Sequence, residues 1–360
     1  RDFRQMRQFG LKIVRCFIPP FESEADRRLS DMIVQLAQKH HLVLYHSAQA
    51  VNVAAVGEER ARIAAYFAEV AERYRDVRGL AIDLRNEPDL KRPPSRESAE
   101  ALEGWTRTCA EAIRAVDANR LVSMGWSQGW AGDGSSKDPL IASRSLDFTD
   151  RHFYGTPDGR MPSDFKDVDQ RAEGKPLILG ECGSKEHPTF YRLIANNGDT
   201  PETYARKFRY LASHVFGLGG SGILAWHWRD PIEGIFPCGQ LYSTGVPRLS
   251  AEQYAAMARA FGEVRLKENP PDVLVALAEE PRMRPDRERF AYLQRREAID
   301  GVLLKLGANW GRVNWDGQTE PQLAGVKVVL HPEDFAGLSA VELTAAIARR
   351  LAMAGCSNEA

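Results

Sequence analysis

The chain has no apolar run near the roughly 18 to 20 residues that a bilayer span requires. That excludes a helical membrane protein for this stretch of sequence. Cysteine is scarce. Cys16, Cys109, Cys182, Cys238 and Cys356 are odd in number, scattered and without CxxC spacing. They exclude a disulfide framework or a zinc site and read as buried free thiols. Charge of one sign is also lacking. A net charge of −1 offers no surface for nucleic acid or another polyanion. No GxGxxG or GxxxxGK[ST] occurs, so the Gly-rich phosphate cradles are absent. There are no internal repeats and no low-complexity tracts.

What remains is an ordinary globular composition, 43% hydrophobic and 27% charged over 360 residues, enough for a large core. The chain opens at Arg1, inside a stretch of helical period, and stops at "AMAGCSNEA", where another strand is expected. It reads as a piece of a longer chain. The cellular location therefore stays open.

Short apolar runs alternate with amphipathic stretches. The runs are "KIVRCFI" (12–18), "HLVLYHS" (41–47), "GLAIDLRN" (79–86), "RLVSMGW" (120–126), "DFTDRHFY" (147–154), "PLILGE" (176–181) and "GILAWHW" (222–228). Those at 41, 79, 176 and 222 are apolar almost throughout, as strands covered on both faces are. Helical periodicity fills the gaps. It places Leu29, Ile33, Leu36 and Ala37 on one face, then Ile63, Phe67, Val70 and Tyr74 on another. Further helices are predicted over 98–116, 201–216 and 251–264. The β-α-β-α order predicts a parallel α/β domain over residues 1–265, the size of a (β/α)8 barrel. Only seven runs are present. The first strand is expected to lie outside the chain, leaving a seam between the runs at 12–18 and 222–228. After "KENPPD", residues 266–360 predict a second, smaller and truncated α/β unit.

Polar residues cluster at the ends of the runs: Arg15, His46, Asn86, Glu87, His152, Tyr154, Glu181 and Trp226. In a barrel all C-terminal strand ends open into one mouth, so these side chains would converge. Two carboxylates in one mouth suit glycoside hydrolysis, with one giving a proton and the other attacking the anomeric carbon. Taken singly, each glutamate reads equally well as a capping or turn residue. His227, Trp228, Arg229 and Asp230 form a run past the last strand, and "GWSQGWAGDG" carries Trp126 and Trp130. The first run reads as loop residues near the mouth or as structural packing, and the two tryptophans as outer sugar platforms or as loop packing.

The combination of "IVRCF", "VLYH", "LRNEPD", "RHFY", "ILGE" and "LAWHW" resembles the clan A glycoside hydrolases, most closely family 5, the cellulases and mannanases. The resemblance covers roughly residues 1–262. It implies a retaining double displacement on a β-linked oligo- or polysaccharide. Glu87 would be acid/base and Glu181 nucleophile, the latter supported by Arg15 and Tyr154. Asn86 would bind the 2-hydroxyl, His46 and His152 would line the reacting subsite, and Trp226 would stack on the sugar. Neither a metal nor an organic cofactor is called for. The adjacency of Asn86 and Glu87 requires the strand to twist or unwind, since neighbours on a regular strand point opposite ways. Two alternatives are a barrel that binds carbohydrate without cleaving it and a metal-dependent barrel hydrolase using His46, Glu87, His152 and Glu181. The tail is similar to the glutamine-amidotransferase-like domain that follows some clan A barrels, and a structural or homo-oligomerising role is expected for it.

Overall fold

The computed structural model describes residues 1–48, 51–88, 96–127, 145–154, 175–183, 200–231, 237–262, 272–278, 286–315 and 326–356. They fall into two compact units, divided at Val264/Arg265.

The first unit is a parallel sheet of seven strands in chain order, nearly closed into a barrel and covered by helices. The strands are β1 (Ile13–Ile18), β2 (Val43–Ala48), β3 (Leu80–Asn86), β4 (Leu121–Trp126), β5 (Thr149–Phe153), β6 (Leu177–Cys182) and β7 (Gly222–Ala225). All seven predicted runs are strands, and each pairs in parallel with the next. The seam falls where the sequence puts it. Among the described residues no ladder joins β1 to β7; instead Phe17 and Trp226 meet edge to face across it at 5.4 Å. The last run ends earlier than predicted, at Ala225 rather than Trp228. The Trp226–His227 peptide is cis; the Trp226 N–H still donates to Cys182 O on β6, while the carbonyls of His227 and Trp228 accept from Gln240 and Leu241.

The helices are α1 (Asp2–Gln8), α2 (Glu24–Lys39), α3 (Gly57–Arg73), α4 (Arg96–Val116), α5 (Pro201–Gly217) and α6 (Leu249–Gly262). Ser23 starts α2 through a capping box with Asp26, which satisfies backbone donors at the first turn. The buried stripe of α2 is Ser30, Val34 and Ala37, one position on from the predicted stripe, and Leu29 is left 40% exposed. Small residues let this helix lie close to its neighbours, and Ser30 accepts a 2.7 Å bond from the Tyr74 hydroxyl at the end of α3. Helix α3 buries Ile63, Phe67 and Val70 as expected. Thr200 caps α5, which packs on α6 through Phe208–Tyr254 and Phe216–Phe261 ring contacts. Cys109, Cys182 and Cys238 are buried free thiols; Cys16 and Cys356 are only half-buried.

The second unit is a three-stranded parallel sheet of order β10-β8-β9, made of β8 (Val273–Ala278), β9 (Trp310–Trp315) and β10 (Val328–Leu330). Helix α7 (Asp286–Lys305) links β8 to β9, a 3-10 turn follows β10, and α8 (Ala340–Met353) ends the unit. Ser339 and Glu342 cap α8 reciprocally.

Candidate active site

Arg15, on β1, organises the mouth of the barrel. Its guanidinium donates to Asp83 Oδ2 at 2.5 Å, to Glu181 Oε1 at 2.6 Å and to Asn86 Oδ1 at 2.8 Å. Three strands are thereby tied to one cation. Burial alone would lower the pKa of Arg15, but the acidic groups around it, Asp83 first, hold it well above its ordinary range. Arg15 thus remains charged under all working conditions.

Glu181 lies at the end of β6 and is nearly buried, 5% exposed. Besides Arg15 it accepts 2.7 Å from the Tyr154 hydroxyl. Tyr154 is 41% exposed overall, yet its hydroxyl turns inward, and burial beside Glu181 pushes its ionisation far up. Tyr154 is therefore a hydrogen-bond donor only toward Glu181.

Glu87 follows β3. The β3–β4 register shifts between Asp83 and Asn86, and Glu87 takes a left-handed φ of +44° while its N–H bonds Gly125 O at 2.9 Å. This is the unwinding that the Asn86–Glu87 adjacency demands, at a cost of about 1 kcal/mol for a residue with a Cβ. Both side chains then reach the mouth. Glu87 Oε1 lies 2.8 Å from His152 Nδ1. Burial raises the Glu87 carboxyl above its usual range, with Arg15 and Arg151 pulling the other way. His152 is fully buried on β5, and burial lowers its pKa, so the ring is neutral at neutral pH. Gly125 makes room for it, since a Cβ there would stand 2.7 Å from His152 Nε2.

One ligand atom each of Glu87, His152 and Glu181 lies within 4.8 Å of the other two. That spacing would admit a cation. Here it is spanned by the Glu87–His152 hydrogen bond, with the Arg15 guanidinium on Glu181.

Trp226 is half-buried beside Phe17 and lines, with Arg15 and Glu181, a cavity of about 100 Å³. His46 is placed differently. It is fully buried, and neither ring nitrogen has a hydrogen-bond partner. Its neighbours on β2 face the site: Tyr45 stacks under Arg15 and the Ser47 hydroxyl donates to Asp83. Strand alternation turns His46 to the opposite face. Of the eight expected residues, seven gather and His46 does not.

Three residues of the cluster were not expected from sequence: Ser47, Asp83 and Asp150. The signal was available for Asp83, a charged residue inside the apolar run "LAIDLRN". The stretch past β7 packs locally. Asp230 is pushed up by burial but held below its ordinary range by His227, Arg248 and the Gly239 N–H. Trp228 meets Phe9 edge to face, and Trp126 is 2% exposed within β4 and so is not an outer platform. Trp130 lies outside the described residues.

A buried arginine holding one carboxylate, with a second, histidine-bonded carboxyl within sugar-bond reach, defines an acid–base site on a parallel barrel. Residues 30–219, more than half the chain, match the family model described as cellulase (glycosyl hydrolase family 5). The chain belongs to glycoside hydrolase family 5 and is a glycoside hydrolase. No curated protein sequence matches it. Solved structures share the fold. A GH5_18 variant from Streptomyces cattleya, in complex with Manb1-4GlcNAc, superposes with TM-score 0.73 at 17% identity, over 92% of this chain and 93% of that one. The exo-beta-1,4-mannosidase Op5Man5 from Opitutaceae bacterium strain TAV5 gives 0.68 at 18% identity, over 95% and 70%. A beta-galactosidase from the Antarctic haloarchaeon Halorubrum lacusprofundi gives 0.69 at 16%, over 92% and 66%.

Proposed function

We propose that the chain hydrolyses β-glycosides with retention, using Glu87 as acid/base and Glu181 as nucleophile. The observation that carries this reading is the approach of the two glutamates, with a ligand oxygen of each within 4.8 Å. Retaining enzymes place their carboxyls about 5–5.5 Å apart, and inverting ones about 6.5–9.5 Å, because the latter must admit a water. Glu87, raised by burial, starts protonated and donates to the glycosidic oxygen. Glu181, fixed by Arg15 and Tyr154, attacks the anomeric carbon from the opposite side. Glu87 then takes the proton of the water that cleaves the glycosyl-enzyme. Asn86, held by Arg15, is positioned for the 2-hydroxyl, and Trp226 for the apolar face of the ring.

The printed substrates of the neighbours set the first panel: Manb1-4GlcNAc, other β-mannosides, and β-galactosides. A nitrophenyl glycoside assay with proton NMR of the first-formed anomer tests the reading. Release of the β-anomer is expected, with Glu181→Ala losing activity and azide restoring turnover as an α-glycosyl azide. Release of the α-anomer, or an active Glu181→Ala variant, would overturn the assignment. EDTA should leave the rate unchanged. For the second unit, a parallel three-stranded sheet whose strands alternate with helices along the chain is what supports the likeness to a glutamine-amidotransferase-like domain. Its role in this reading is structural, holding copies of the chain together, and light scattering of the purified chain checks that directly.

A further inference from the structure

Beneath the mouth lies a carboxyl that the mechanism does not use. Asp150, two residues before His152 on β5, is fully buried, and neither of its oxygens has a hydrogen-bond partner. Its place is cut into the sheet. A Cβ on Gly180, next to the nucleophile, would collide with the Asp150 carboxyl. Oδ1 lies 3.6 Å from His152 Nε2, a separation that active sites close on binding substrate. The other groups bearing on Asp150 are Arg15 from β1, Tyr45 from β2 and Asp83 from β3.

The two sides of the His152 ring differ in what they meet. Nδ1 faces only acceptors, Glu87 Oε1 at 2.8 Å and Glu181 Oε2 at 3.5 Å. Nε2 faces the Arg15 guanidinium at 3.5 Å, which can only donate, and Asp150. A neutral imidazole with its proton on Nδ1 satisfies both sides. The opposite tautomer would aim an N–H at Arg15 and leave Nδ1 to draw the proton off Glu87, away from the leaving oxygen.

We propose that Asp150 is a positioning residue for the glycosidase reaction: its carboxyl, donating to Nε2, holds His152 in the Nδ1–H tautomer that hydrogen-bonds Glu87 Oε1. The other Glu87 oxygen is then left to carry the catalytic proton. Burial, helped by the Asp83 charge, favours the neutral, donating form of Asp150, although His152, Arg15 and the Tyr45 hydroxyl pull the other way. The inference rests on the assignment of Glu87 as acid/base, but its primary test does not.

The test is long-range nitrogen NMR on the histidine-labelled chain, with His152 assigned by comparison with a His152→Asn variant. Wild type should show Nδ1 protonated and Nε2 bare across neutral pH. Asp150→Asn, whose amide can donate as the acid does, should keep that tautomer and hold kcat within about 5-fold with an unmoved pH profile. Asp150→Leu, of similar size but unable to donate, should release the tautomer. It should also lower kcat about 10- to 100-fold, below the usual general-acid contribution, at nearly constant KM. Protonated Nε2 in the wild type would overturn the proposal, as would an Asp150→Asn variant damaged as severely as Asp150→Leu. Absence of any glycosidase activity would instead sink the assignment of Glu87, while the NMR result would still decide the role of Asp150.

Discussion

Replacing His46 with leucine should make the protein more resistant to acid while leaving catalysis nearly intact. Burial drives the His46 pKa from 6.5 down to about 4, outweighing the ring's interaction with its own backbone and then the Asp83 charge, which both favour the charged form. In the unfolded chain the imidazole regains its ordinary value. Between pH 6.5 and 4 the unfolded state therefore binds a proton that the folded state refuses. Stability falls as pH falls through that window, by about 1.36 kcal/mol per unit. The loss is roughly 2 kcal/mol by pH 5 and about 3 kcal/mol in the limit, set against a total stability of about 5–15 kcal/mol. His152 adds a loss of the same sign, but it is common to both proteins and cancels in the comparison. Urea unfolding of wild type and His46→Leu at about pH 7.5 and pH 5 measures the difference. The variant should lose roughly 2 kcal/mol less on acidification. At neutral pH it should be at least as stable, because two unpaired ring nitrogens leave the core. Parallel acid curves, together with a large fall in kcat, would refute the reasoning and return His46 to the site.

Gly180→Ala should cost about 1–3 kcal/mol or more in stability, because its Cβ meets Asp150 inside a packed barrel, and differential scanning calorimetry will report it. Arg15→Met leaves Asp83 and Glu181 without their buried cation, so a loss of about 3–5 kcal/mol is expected in chemical denaturation, with activity abolished. The basic limb of the kcat/KM profile should sit above the range of an ordinary glutamate, since it reports the raised Glu87 acid, and Glu87→Gln should erase that limb.

Much of the fold was legible because a parallel barrel repeats one local instruction. Each strand covered on both faces reads as a short apolar run and each helix as a 3.6-residue stripe, so that seven runs alternating with five stripes needed only their order. Errors came where a single residue's direction mattered. Periodicity put Leu29 inside α2, but packing chose Ser30, Val34 and Ala37 instead. His46 stands at a strand end like the other candidates, yet its neighbours Tyr45 and Ser47 occupy the inward positions.

Sequence alone determined the barrel, the order of its strands and the gathering of polar residues at their C-terminal ends, because these depend on patterns along the chain. It also carried the two glutamates and the family they belong to. Tertiary structure decided the rest. Only the folded sheet brings Asp83 and Asp150, separated in sequence, under one arginine, and only the slipped β3 register turns Glu87 beside Asn86 into the mouth. The physical reason is that charge and hydrogen bonding act across space between strands, at distances that the spacing of residues along the chain does not encode.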